Sequence, residues 1–182
     1  MQDRSRSDPA SARRRALRAL ASMSLALPFA PAAWASAPRS VSFYHTHTGE
    51  HLSVVYFERG NYNADALTAL NRLLRDFRSG EACEIDPRLF DTLHELNLAC
   101  GPGRFEVISA FRSPRTNALL RSRSSGVADN SLHLQGRAID VRLAGRDTRR
   151  LRDAALALGH GGVGYYAGSD FVHLDTGRVR RW

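Results

Sequence analysis

The fold and the chemistry of this chain are predicted from two stretches, Ser131-Leu-His-Leu-Gln-Gly-Arg-Ala-Ile-Asp140 and Asp170-Phe-Val-His-Leu-Asp175. Asp140 and His173 each lie in a short apolar run that is typical of a strand. A polar side chain in such a run is costly unless it is paired or bound to a metal. Catalytic zinc sites use three protein ligands and leave one position open. We therefore predict that His133, Asp140 and His173 bind one zinc ion per chain.

Two further residues in these stretches are predicted to support the ligands. Asp175 follows His173 by two positions, so both side chains lie on one face of a strand. Its carboxylate can then orient the imidazole through the second ring nitrogen. Ser131 lies in a polar loop, where its hydroxyl can orient His133. The competing interpretation is that each histidine is an ordinary core or surface residue; the joint pattern favours the metal site.

The sequence also resembles a known family. The pattern Ser131-x-His-x-x-Gly-x-Ala-x-Asp140 resembles the signature of zinc peptidases of the D-alanyl-D-alanine carboxypeptidase type, the fold group that includes the hedgehog signalling domain. Ser109–Asn117, Gly161–Tyr166 and Phe171–Gly177 narrow the resemblance to the murein endopeptidase K (YcbK-like) family. The resemblance runs from about Val41 to Trp182. It implies a zinc metallopeptidase that hydrolyses cross-links between peptidoglycan stem peptides, with 3-3 links between diaminopimelate residues favoured.

Two catalytic roles are predicted. Arg112 follows a predicted strand and precedes a helix, where its guanidinium can bond a carboxylate or carbonyl through two nitrogens. The resemblance implies that Arg112 faces the substrate near the zinc; the alternative is a structural salt bridge. The resemblance also implies that Asp170, three residues before His173, is the general base, which takes a proton from the attacking water and passes it to the leaving amine.

Two other functions remain open at this point. A zinc D-Ala-D-Ala carboxypeptidase or dipeptidase would need a closed pocket, whereas an endopeptidase needs a groove open at both ends. A non-catalytic peptidoglycan-binding module would keep the fold without turnover. Nucleic acid is not expected as a partner, because the chain shows no stripe of basic and aromatic residues.

The first 35 residues are predicted to be a signal peptide, and residues 36–182 the zinc peptidase domain. A polar start that contains Arg13 and Arg14 precedes an apolar run and the small residues Ala33-Trp-Ala35. The paired arginines favour the twin-arginine route to the periplasm; cleavage after Ala37 is an alternative. Two prolines interrupt the apolar run, which argues against a stable membrane anchor.

Composition bounds the remaining possibilities. The formal net charge is +8, but six arginines and two aspartates lie in the first 35 residues, so residues 36–182 carry only +4. A domain of this length can form one core. Cys83 and Cys100 can pair in an oxidising compartment or remain separate thiols.

The pattern of the remaining chain predicts an α+β fold in which a small antiparallel sheet carries the zinc site and helices cover one side. Two β-rich runs flank the turn Thr48-Gly-Glu50 and predict a hairpin. His45, His47 and His51 are expected to be exposed at its tip. A leucine-rich period predicts a helix over Asn63–Arg78.

Overall fold

A computed structural model of the chain describes residues 37–123 and 128–182. The predicted signal peptide and its twin-arginine motif lie outside the described residues. The strands of the described part are β1 (Arg39–His45), β2 (His51–Glu58), β3 (Asn61–Tyr62), β4 (Phe105–Ser109), β5 (Ala138–Leu143), β6 (Gly162–Tyr166), β7 (Phe171–Asp175) and β8 (Arg180–Arg181). The helices there are α1 (Ala64–Leu73), α2 (Pro87–Cys100), α3 (Pro114–Arg123) and α4 (Thr148–Leu158), with 3-10 turns at Leu132–Gln135 and Ala167–Ser169.

All of these strands belong to one sheet in the order β3-β2-β1-β4-β5-β7-β6-β8. The α+β class is confirmed, but the expectation of a small antiparallel sheet was wrong in two respects. The sheet has eight strands, and it is mixed, because β1 pairs with β4 and β6 pairs with β8 in parallel. The two-residue strands β3 and β8 are too short to produce a recognisable alternation in the sequence. The parallel pairing of β1 with β4 follows from the two helices that lie between them in the chain.

Strand alternation separates the core from the face that carries the site. Along β5, Ile139, Val141 and Leu143 are buried in the hydrophobic core. Asp140 and Arg142 therefore point to the opposite face of the sheet. Helices α1, α2 and α4 contact the strands, and α2 also contacts α4, through apolar faces that join this core. One face of the sheet thus packs against the hydrophobic core, and the opposite face can carry polar side chains.

Side-chain caps define where the helices begin. Asn63, Asp86 and Asp147 accept backbone hydrogen bonds at the starts of α1, α2 and α4. Helix α1 ends at Leu73, five residues earlier than the period predicted. The chain turns there because the backbone and carboxylate of Asp76 bond to groups in the following loop and near β4.

The predicted hairpin is formed by β1 and β2. His47 and His51 are exposed as expected, but the expectation for His45 was wrong, because its side chain is buried. His45 ends β1 on the inward side and contacts the ring of Phe77 edge-on at 5.6 Å between centroids. The helix that ends early brings Phe77 to this position. Among the described residues, no helix is both long and apolar enough to cross a membrane.

Candidate metal centre

Three elements bring the predicted ligands together. His133 lies in the 3-10 turn Leu132–Gln135, Asp140 on β5 and His173 on β7. Asp140 and His173 are direct partners across the β5–β7 pair. One ligand atom from each of the three residues lies within 4.8 Å of the others, and all three residues are buried. The sequence prediction that these side chains converge agrees with this geometry.

The His133 ring is held in an orientation that suits a metal ligand. Its Nδ1 lies 2.6 Å from the carbonyl oxygen of Ala110. Because a carbonyl can only accept, Nδ1 carries the proton and donates, which leaves the lone pair of Nε2 available. Burial lowers the pKa of His133 and favours the neutral ring that a metal requires. The turn closes at Gly136, whose φ of 63° and close approach to the Glu84 carbonyl exclude a side chain.

Asp140 lies between the two imidazoles. Its Oδ1 is 3.3 Å from Nε2 of His133 and 2.8 Å from Nδ1 of His173. Burial alone would raise the pKa of Asp140, but the charges and hydrogen bonds of the two histidines hold it well below its ordinary value. One carboxylate oxygen and two ring nitrogens thus face a common point, which is a donor set that suits zinc.

The second ring nitrogen of His173 also has a hydrogen-bond partner. Nε2 lies 3.0 Å from Oδ2 of Asp175, whose side chain is fully buried. Burial opposes protonation of His173, yet the hydrogen bonds to Asp140 and Asp175 outweigh it and raise the pKa of the ring. Asp175 also accepts hydrogen bonds from the backbone N–H groups of Gly162 and Gly177. The carboxylate is therefore fixed and is hydrogen-bonded to the imidazole; its role in supporting a metal ligand stays a prediction.

Arg112 lies beside the cluster. Its Nη2 donates to Oδ2 of Asp140 at 3.2 Å, and its Nε donates to the Ser109 hydroxyl at 3.2 Å. The backbone N–H of Arg112 donates to the carbonyl of His133 at 3.1 Å. The strand-to-helix junction therefore places this guanidinium at the ligands and on the cavity wall.

Asp170, the predicted general base, is placed elsewhere. Its side chain is 61% exposed, accepts a hydrogen bond from the Thr148 hydroxyl at 2.8 Å and lies 3.3 Å from Nη1 of Arg142. Arg142 follows Asp140 by two residues on β5, so the backbone positions of these two residues lie about 7 Å apart along the strand. Asp170 itself has a φ of 51° at the end of a 3-10 turn, and it is not among the residues that line the cavity. The predicted proton-transfer role of Asp170 lacks support from these contacts and stays a prediction.

Ser131 lies on the wall of the cavity next to His133. Its backbone carbonyl accepts a hydrogen bond from Leu134, which closes the turn that carries the ligand. In the described part of the chain, the group that bonds the His133 ring is the Ala110 carbonyl instead of the Ser131 hydroxyl. The His133 ring is thus oriented by the Ala110 carbonyl, and the orienting role predicted for the Ser131 hydroxyl stays a prediction.

The three ligands open onto a cavity of about 400 Å³. The lining residues that sequence reasoning missed include Tyr166, Phe171, Arg180 and Trp182. Phe171 was detectable, because it alternates with His173 on β7. Arg180 and Trp182 reach the site through the pairing of the short edge strand β8 with β6, and this pairing has no local sequence signal.

The two cysteines are separate thiols in this structure. Cys100 is buried beside the carbonyl of Arg150, and Cys83 lies next to Glu84. Burial raises the pKa of Cys83 to about 11, which keeps the thiol protonated. Neither cysteine belongs to the ligand cluster.

Two imidazoles and a carboxylate that converge in an open cavity beside an arginine define the class of a metal-dependent hydrolase. Comparison with known proteins agrees. A family model described as Peptidoglycan L,D-endopeptidase MepK matches residues 33–182. The chain belongs to this family, which confirms both the resemblance and the prediction that it is a peptidase.

Individual relatives are similar over most of their length. Peptidoglycan L,D-endopeptidase MepK of Escherichia coli strain K12 is 42% identical over 146 residues, which cover 80% of this chain and 80% of the relative. The protein of the same name from Shigella flexneri has the same identity and coverage. Probable peptidoglycan L,D-endopeptidase MepK of Haemophilus influenzae is 41% identical over 147 residues, which cover 80% of this chain and 79% of the relative.

Proposed function

We propose that this protein is a zinc-dependent endopeptidase that hydrolyses peptide cross-links in peptidoglycan, with 3-3 links between diaminopimelate residues as the favoured substrate. The observation that carries the proposal is the convergence of His133, Asp140 and His173 at the cavity of a chain in this family. The names of the relatives, which specify an L,D-endopeptidase of peptidoglycan, support the choice of substrate.

The donor set fits a single zinc ion. Nε2 of His133 and Nδ1 of His173 are the nitrogens that face Asp140, because the other nitrogen of each ring is hydrogen-bonded elsewhere. Oxygen and nitrogen donors of this kind suit zinc in a three-ligand catalytic site. When bound, zinc supplies an activated water molecule and polarises the scissile carbonyl.

The chain's own residues would hold the substrate and stabilise charge. The guanidinium of Arg112 is fixed by Ser109 and Asp140 at the edge of the ligand cluster. From there it can donate to a substrate carbonyl oxygen as negative charge develops on that atom. Arg112 contacts Asp140 through Oδ2, whereas Oδ1 is the oxygen that lies between the two histidines. Arg112 would thus act on the substrate without blocking the ligand oxygen.

Proton transfer from the attacking water needs a group that reaches the cavity. Asp170 is the base implied by the family resemblance, but it would have to leave Thr148 and Arg142 to reach the cavity. We therefore propose only that a proton passes from the attacking water to the leaving amine.

We further propose that residues 1–35 direct export to the periplasm through the twin-arginine pathway and are then removed. The support is the sequence pattern of paired arginines, apolar run and small residues. Export would bring the enzyme to its polymeric substrate.

The decisive experiment is digestion of purified peptidoglycan by residues 36–182, with and without a chelator, beside a His133→Ala variant. Cross-linked dimers should become monomers only with zinc and only with His133 present, as resolved by mass spectrometry. Loss of a terminal alanine alone would establish a carboxypeptidase instead. Binding to the wall without any change in the muropeptides would establish a binding module and refute the enzyme.

A further inference from the structure

Three aromatic rings line the cavity at the ligands. Tyr166 ends β6, Phe171 begins β7, and Trp182 follows β8. The Tyr166 and Phe171 rings are stacked, with centroids 4.6 Å apart and planes inclined by 18°. Nε1 of Trp182 donates to the Tyr166 hydroxyl at 3.0 Å. The Trp182 ring centroid lies 5.2 Å from that of His173. The rings therefore form one connected surface, which we call the aromatic wall.

The position of Trp182 is built into the sheet. Its backbone pairs with β6, because its N–H donates to the carbonyl of Val163 and its carbonyl accepts from the N–H of Tyr165. A Cβ atom on Gly164 would lie 2.7 Å from the indole, so only glycine permits the ring to lie here. The Arg180 guanidinium covers the ring at 4.9 Å from its centroid. These contacts hold the ring in place although the residue is 51% exposed.

The aromatic wall is not explained by packing in the hydrophobic core. Tyr166 and Trp182 remain 38% and 51% exposed, whereas the rings of the core, such as Phe105, are fully buried. Exposed apolar surface that lies together in a cavity is typical of a ligand contact. Here it lies next to the residues proposed to carry the reaction, so it would contact a group adjacent to the scissile bond.

We propose that Tyr166, Phe171 and Trp182 form the subsite that binds the aliphatic side chain of the diamino acid at the cross-link, and that this subsite selects 3-3 over 4-3 links. The inference rests on the proposed function. In a 3-3 link the residue that supplies the scissile carbonyl has a long methylene side chain, whereas in a 4-3 link it is D-alanine with a single methyl group. Aromatic rings gain free energy in proportion to the apolar area that they cover. A longer chain therefore binds better to this wall.

A glycan sugar is the other group that stacks on aromatic rings, and the geometry argues against it. The wall reaches within 5.2 Å of the His173 ring, measured between centroids. The cross-linked residue is separated from the sugar by about two residues, roughly 7 Å of extended chain. A group that touches both the wall and the reacting carbonyl must therefore belong to the cross-link itself.

The test compares soluble 3-3 and 4-3 muropeptide dimers as substrates for the zinc-loaded wild type, Trp182→Ala and Trp182→Phe. Val179→Ala is the matched control, because Val179 is 68% exposed in the same segment and does not line the cavity. One methylene in a hydrophobic pocket changes kcat/KM by about 10-fold or more. We expect Trp182→Ala to lower kcat/KM for the 3-3 dimer by about 10-fold or more, mainly through KM, and to change the 4-3 dimer little. Trp182→Phe should be intermediate, and the zinc content of each variant should match the wild type.

Each outcome separates the inference from the proposed function. If the wild type with zinc cleaves neither dimer, the proposed function fails. If the wild type cleaves but Trp182→Ala loses the same factor on both dimers, or loses zinc, the subsite fails alone. If the wild type cleaves only the 3-3 dimer, an unchanged KM in Trp182→Ala refutes the subsite and a raised KM supports it. A loss on intact glycan-bearing wall without a loss on soluble dimers would assign the aromatic wall to sugar and refute our inference.

Discussion

Nε2 of His173 lies 3.0 Å from Oδ2 of Asp175, while Nδ1 of the same ring lies 2.8 Å from Oδ1 of Asp140. The imidazole is therefore held between two carboxylates, one from the neighbouring strand and one from its own. Arg180 donates to both oxygens of Asp175, at 3.0 and 2.6 Å, and so holds the second carboxylate in turn. The arrangement of the predicted ligands thus depends on residues outside the cluster.

Asp175→Asn should weaken zinc binding about 10- to 100-fold. A neutral amide orients the imidazole less well than a carboxylate does, and it raises the basicity of the ring less. Competition with a chromophoric chelator measures the affinity. Asp153→Asn is the matched control, since that carboxylate is 63% exposed on α4 and should leave affinity unchanged. Equal affinity in Asp175→Asn and wild type would show that Asp175 contributes only to the fold.

Arg112→Ala should lower kcat about 10²- to 10³-fold, the usual effect of removing a donor to a developing oxyanion. Zinc content should be retained, because Arg112 contacts the ligand Asp140 only through the oxygen that faces away from the histidines. Steady-state kinetics on a purified dimer, together with metal analysis, give both values. The exposed neighbour Arg115 supplies the control variant Arg115→Ala. A purely structural salt bridge would instead leave kcat unchanged in the folded, zinc-loaded protein.

Asp170→Asn should retain activity within about threefold, because its carboxylate is exposed and bonds Thr148 and Arg142 outside the cavity. The same dimer assay measures it, over a range of pH. A general base contributes about 10²- to 10⁴-fold. A loss of that size, with zinc still bound, would restore the role predicted from the family resemblance and require Asp170 to move during the reaction.

Asp76 should make stability depend on pH. Burial would raise its pKa, but the hydrogen bonds from Thr116, Ser113 and Arg78 hold it well below the ordinary value of 3.8. A depressed pKa in the folded state stabilises the protein above the unfolded pKa, and the stabilisation is lost as the pH falls below about 4.

Replacing Asp76 should reveal this contribution directly. We expect Asp76→Asn to lower the free energy of unfolding by about 1.5–3 kcal/mol at pH 7, the usual value of a hydrogen bond to a charged group. Urea denaturation at pH 7 and pH 3 measures the difference, with Asp153→Asn as control. A deficit that is equally large at pH 3 would contradict the assignment to an ionised carboxylate.

The convergence of His133, Asp140 and His173 was predictable from the sequence because the signal is local. A polar residue in an apolar strand indicates a special environment, and Asp140 and His173 share this feature. His133 and Gly136 lie a few residues away in a turn that only glycine allows. The position of the Asp170 side chain was harder to predict. Its spacing from His173 does not reveal that Asp170 itself adopts a left-handed conformation at the end of the 3-10 turn.

The aromatic wall and the size of the sheet depend on long-range pairing. Trp182 reaches His173 only because β8 pairs with β6 and Gly164 lacks a side chain. Likewise, β1 and β4 are separated by two helices in the chain. Their parallel pairing cannot be recognised from the alternation of polar and apolar residues in either strand. His45 was expected at the surface because the early end of α1, which brings Phe77 over it, was not foreseen.

The pairing of Asp140 with His173 across β5 and β7 affects how a metal ion would bind and dissociate. Two of the three donors are positioned by the hydrogen bonds of the sheet, so their arrangement is preorganised before any metal arrives. The entropy of assembling the ligands is lost during folding of the chain. Metal exchange should therefore be a local event that leaves the tertiary structure intact, in contrast to small domains whose folding requires zinc.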